Sequence, residues 1–141
     1  MWHSDVFLYP GHSHFGHGPL EPTGYSAKNF PDRYQSMLVN CLVSFNYYDI
    51  DFLQMHPGGS RNLEMVVHGL PAFWTMLGQS SAAYVIGLIS SNGGTWAQVL
   101  AGMLVKPSWA PAGYDPLRVV NGELDNAFDP KTKGPIAVTV K

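Results

Sequence analysis

A chain of 141 residues with 45% hydrophobic and 13% charged side chains has the length of one modest folded domain, able to bury roughly two-thirds of its unfolded surface. The net charge of −2 without any basic run speaks against nucleic acid as a main partner. No apolar segment reaches the ~18 residues of a membrane span, and no basic region followed by an apolar stretch marks a signal peptide at the N-terminus.

In chain order, Asp5-Val6-Phe7-Leu8-Tyr9 is short, apolar and closed by Pro10-Gly11. It reads as a buried strand of a parallel sheet covered on both faces. Residues 16–35 are rich in Gly, Pro, Ser, Asn and Asp and read as a long loop over the strand end. A second strand is expected from Ser36 to Ser44, with Cys41 near its carboxyl end, followed by an aromatic segment, Phe45 to Phe52, forming a short irregular helix. The turn Pro57-Gly58-Gly59 leads to a third strand, Leu63 to Val67. Ser80 to Ser91 places Ala82, Ala83, Ile86 and Ile89 at helical spacing, and Thr95-Trp96-Ala97-Gln98 is a capping box opening a second helix to about Leu104. Leu117 to Val120 reads as a fourth strand and Ile136 to Val140 as an alternating edge strand. Without repeats or a compositional break, residues 1–141 read as one α/β domain with a mainly parallel sheet and flanking helices.

Three of the six histidines, His12, His14 and His17, fall within "GHSHFGH" directly behind the first strand. Their spacing resembles the two-metal motif of metallo-β-lactamase-fold hydrolases, but Gly16 stands where that motif carries an aspartate. A zinc site on His12, His14 and His17 is therefore the alternative reading, with His14 and His17 expected as loop residues. The preferred reading uses His12 alone. It lies just past the first strand, and the only cysteine, Cys41, near the end of the second. In open α/β sheets functional groups collect beyond the carboxyl ends of neighbouring strands. An imidazole facing a thiol can generate the thiolate and protonate a leaving amine, and the backbone N–H groups of Ser13 and Cys41 could hold an oxyanion.

"DVFLYPGHS" and "SMLVNC" resemble the histidine and nucleophile motifs of the caspase-like cysteine peptidases, the group of caspases, legumains and gingipains. "GGSRNLEMVVHGLPA" and "AAYVIGLISSNGGTWAQVLAGM" are similar to the loop, strand and helices that follow in bacterial members, so the resemblance covers about residues 5–105. It implies a three-layer sandwich and hydrolysis of peptide bonds, with His12 as the catalytic histidine, Cys41 as the nucleophile and no cofactor. Ser13 occupies the usual glycine position, and Leu42-Val43 replace the small residue and glycine that often follow the cysteine. The family sheet has two strands before the histidine strand. The resemblance thus implies a sheet completed by a homo-oligomer or another chain, and a peptide or protein as substrate; a non-catalytic interaction or structural module with a buried, inert Cys41 is the other alternative. The low charge content points the same way, to a surface that meets a partner.

Asp49 and Asp51 could line a pocket for basic side chains, as acidic residues do in arginine-specific relatives; helix-capping or solvated aspartates are the plainer reading. Tyr47, Tyr48, Phe52, Phe73 and Trp74 are expected in the core or a pocket wall. Glu123, Asp125, Asn126 and Asp129 form an acidic turn that could hold calcium, without EF-hand spacing. Gly58-Gly59-Ser60 lacks the lysine of a phosphate-binding loop.

Overall fold

A computed structural model describes residues 3–14, 16–48, 50–91, 96–103 and 118–121. Its centre is a four-stranded sheet of β1 (Val6–Pro10), β2 (Gln35–Asn40), β3 (Leu63–His68) and β4 (Arg118–Asn121), in that spatial order. β1, β2 and β3 are parallel, with Val6 beside Ser36 and Gln35 beside Leu63. β4 runs antiparallel to β3, with Val66 beside Val120. The chain is therefore α/β with a three-stranded parallel unit and flanking helices.

Every residue of β2 and β3 is buried, because each has a strand on both sides and a packed layer on both faces. Strands so placed read as near-continuous apolar runs. β1 differs from the sequence expectation. It has one neighbouring strand among the described residues and is only half-buried, with Val6 40% exposed.

Alternation of side chains along the strands divides the core in two. On one face Met37, Val39, Cys41, Leu63, Met65 and Val67 meet Leu20, Phe30, Tyr48 and Phe52. The covering layer there comprises α1 (Phe45–Tyr48), α2 (Asp51–Met55) and the loop after β1. That loop is anchored by Leu20 and Phe30, both essentially inaccessible, and contains two single-turn 3-10 segments, Pro22–Gly24 and Ala27–Asn29. On the other face Leu38 and Val66 pack against Tyr84, Trp96, Val99 and Met103 of the helical layer formed by α3 (Leu77–Ser91) and α4 (Trp96–Ala101).

α3 starts three residues earlier than its apolar spacing indicates, and its buried face is also different. Leu77, Ser80, Ser81 and Tyr84 face the sheet, whereas Ile86 and Ile89 are 62% and 75% exposed. Gly87 permits the close approach of α4: a Cβ there would lie 2.3 Å from the Val99 carbonyl oxygen. No helix among the described residues is long and apolar enough to cross a membrane. Thr95, the strand expected at 136–140 and the acidic turn at 123–129 lie outside the described residues.

Candidate functional site at the carboxyl ends of the strands

β1 and β2 are neighbours in register, so their carboxyl ends bring the His12 and Cys41 loops side by side. The ladder runs one step past Pro10, with Gly11 N–H donating to the Asn40 carbonyl at 3.3 Å. The Tyr9 phenol folds under this turn and donates to the His12 carbonyl at 3.0 Å. A Cβ at Gly11 would stand 2.7 Å from the Tyr9 ring, which would have to shift to admit it.

Ser13 ties the two loops together. Its hydroxyl donates to the Leu42 carbonyl, and its own carbonyl accepts from the Tyr48 phenol. Ser44 does the same between β2 and β3. Its hydroxyl donates to the Val39 carbonyl at 2.7 Å and accepts from His68 N–H at 2.8 Å. Between them Val43 adopts φ 52°, the left-handed region that costs an L-residue roughly 1–2 kcal/mol. Such strain persists only where the surroundings over-determine it. Here Val43 N–H reaches the Leu70 carbonyl at 3.4 Å and Ser44 is locked to both strands.

Cys41 is the first residue beyond β2 and is completely inaccessible within the core layer of Tyr48 and Phe52. Burial pushes its thiol pKa up; the adjoining Ser13 and Ser44 hydroxyls pull it down. Each of those hydroxyls has one hydrogen, and each already donates it to a carbonyl. Burial is the larger effect, so the neutral thiol is the favoured form. Cys41 N–H is likewise engaged, donating to the Val39 carbonyl at 3.0 Å.

His12 is exposed, and its ring meets the edge of His14 at 5.2 Å between centroids. The Ser13 and Ser44 hydroxyls adjoin the Cys41 sulfur. His14 and His17 are exposed loop residues joined by the bond from His17 N–H to the His14 carbonyl at 2.9 Å. Gly16 takes φ 86° and donates to the Glu21 carboxylate at 2.6 Å. Among the described residues no three His, Cys, Asp or Glu side chains converge on a point that could hold a metal ion. Asp51 is exposed in the first turn of α2, where a carboxylate complements the helix dipole; Asp49 lies outside the described residues. Tyr48 and Phe52 are core residues, while Trp74, expected in the core or a wall, is 75% exposed.

A polar cluster that sequence reasoning passed over lies on the helical face of the same strand ends. Asn40, 1% exposed, accepts from His68 Nε2–H at 2.9 Å. Its amide nitrogen lies 3.0 Å from the Leu77 carbonyl and 2.8 Å from both Ser80 Oγ and Ser81 Oγ. Two N–H groups are thus shared among three acceptors, joining β2, β3 and α3. The available signal was positional: Asn40 and His68 are the polar last residues of the two central strands.

An open cavity of about 500 Å³ lies elsewhere, lined by Ile50, Leu53, Gln54, His56, Gly59 and Ser60. His56 is 3% exposed, with Nδ1 2.8 Å from the Pro57 carbonyl. None of the residues expected to act in catalysis lines this cavity. Comparison of the chain with protein-family models, with curated proteins and with solved structures found no match.

Proposed function

We propose that the chain is a caspase-like α/β module that acts through contacts with other protein and not by hydrolysing peptide bonds. The observation that supports this reading is the state of Cys41: fully buried, with that burial pushing its thiol pKa up, and with its backbone N–H already bonded. A nucleophilic cysteine needs thiolate character and access, and an oxyanion donor must point at the reacting carbonyl. Peptide-bond hydrolysis by a His12/Cys41 dyad is the second reading. It is favoured by the placement of both residues at the carboxyl ends of paired parallel strands, beside a strained Val43.

Iodoacetamide labelling and peptide hydrolysis separate the two. Under the first reading Cys41 labels only on unfolding, about 10³-fold or more slower than an exposed thiol for a domain of ordinary stability, and a mixed peptide library stays intact. Rapid labelling of folded protein that His12→Ala slows, or cleavage abolished by Cys41→Ala, would establish the dyad instead.

A further inference from the structure

We propose that β1 is the centre of a twofold interface with a second copy of this chain, formed by antiparallel pairing of the two β1 strands and flanked by the two α3 helices. The parity of β1 follows from its bonds to β2. Ser36 N–H donates to the Asp5 carbonyl and Gly11 N–H to the Asn40 carbonyl, so the odd-numbered residues face β2. Val6 and Leu8 therefore direct their N–H and C=O groups away from the sheet. Among the described residues β1 is an edge strand, and such an edge is a template for another strand.

Self-pairing uses these groups fully. With Val6 opposite Leu8 of the second copy, and Leu8 opposite its Val6, both outward residues form doubly hydrogen-bonded pairs. Phe7 then faces Phe7 across the axis. Pro10, which lacks an N–H, sits at the margin, where an edge strand tolerates it. Charge favours the same arrangement. The antiparallel twofold sends the two Asp5 residues to opposite ends of the ribbon, each with its Arg33 partner at 2.8 Å, whereas parallel pairing would stack like charges.

The twofold axis runs perpendicular to the sheet, so both α3 helices lie on the same face. α3 rests on β1 and β2. Its Ala83 and Gly87 flank meets α4, which extends the apolar layer over Val66 and Val120. By helical spacing the opposite flank, towards the β1 edge, carries Val85, with Ile89 and Ala82 on its outer side, and α3 contains no charged residue. This flank adds apolar area to a five-residue strand pair. Stable interfaces bury about 1,200–2,000 Å² in total, more than a short backbone ribbon supplies by itself.

Sedimentation and light scattering over a concentration series test the proposal on the full chain. The expected mass is twice the 15.5 kDa of the chain, with Val6 and Leu8 amides protected from hydrogen exchange in step with dimer formation. Val6→Lys and Ile89→Glu change side chains that are already 40% and 75% exposed. Each should weaken the dimer at least tenfold while leaving the circular dichroism spectrum unchanged. A chain that stays monomeric at 100 µM, a dimer indifferent to both variants, or Val6 and Leu8 amides protected in a monomer would overturn it; the last result means that a segment of the same chain covers the edge. Open-ended oligomers would also overturn a closed twofold. Neither variant touches Cys41, so failure here leaves the non-catalytic reading standing or falling on its own test.

Discussion

Asn40→Ala removes a side chain that binds β2, β3 and α3 at the carboxyl ends of the strands. Although three acceptors surround its amide nitrogen, two N–H groups can make two full bonds, and the carbonyl oxygen accepts a third from His68. A buried hydrogen bond contributes roughly 1 kcal/mol net, and a stranded buried donor costs about 1–3 kcal/mol. Ser80 keeps an acceptor in the Met76 carbonyl at 2.9 Å, whereas His68 Nε2–H loses its bond to the Asn40 carbonyl. The expected loss is about 3 kcal/mol, a large part of the ~5–15 kcal/mol that holds a domain folded. In urea titration followed by circular dichroism, with a slope of about 1.5 kcal/mol/M, the midpoint should fall by about 2 M. Asn40→Asp provides the control. It keeps the shape and the acceptor for His68 but buries a carboxylate against the Leu77 carbonyl, so its stability should fall as pH rises from 4 to 7. A loss below about 1 kcal/mol for Asn40→Ala, with an unchanged slope, would show that the cluster does not join the three elements.

Two further outcomes follow from packing and ionisation. Gly87→Ala gains up to about 1 kcal/mol of helix propensity, but its Cβ would lie 2.3 Å from the Val99 carbonyl oxygen; overpacking of about 1–3 kcal/mol should win and lower Tm. Gly78→Ala, with open space around its Cβ, should leave Tm unchanged or raise it, and equal effects at the two sites would refute the close approach of α3 and α4. Burial raises the pKa of Cys41, takes Tyr48 up to about 12, and raises Tyr34 and Tyr84 as well. The unfolded chain releases these protons first, from about pH 8.5 for cysteine and about pH 10 for tyrosine. Their stabilisation is complete below pH 8.5 and is lost as pH rises through the folded values. The urea midpoint should decline from pH 8.5 and more steeply above 10, and a flat profile to pH 11 would contradict it.

Four strands in order and a mainly parallel sheet were legible in local sequence, although the expected second strand ends at Asn40 and not Ser44, and the one expected at 136–140 lies outside the described residues. Apolar runs such as Met37-Leu38-Val39 and Met65-Val66-Val67, each closed by a polar residue and a turn, carry that information locally. His12 and Cys41 were legible as groups just past two successive strand ends, whereas the adjacency of those strands comes from their pairing. Which way the groups at those ends point is set by packing from distant parts of the chain. Cys41 lies one residue beyond the strand and turns into the core with Tyr48 and Phe52, while His12 stays in solvent against His14. Burial of a single position is set by what the other layers bring to it. Leu20 and Phe30, from a segment that reads as polar loop, complete the layer that covers the thiol. The exposed flank of α3 has the same origin: Ala82, Ala83, Ile86 and Ile89 share helical spacing, but the sheet takes the face of Leu77, Ser80, Ser81 and Tyr84. Periodicity specifies that a helix has faces; the partners that fold against it decide which of them is buried.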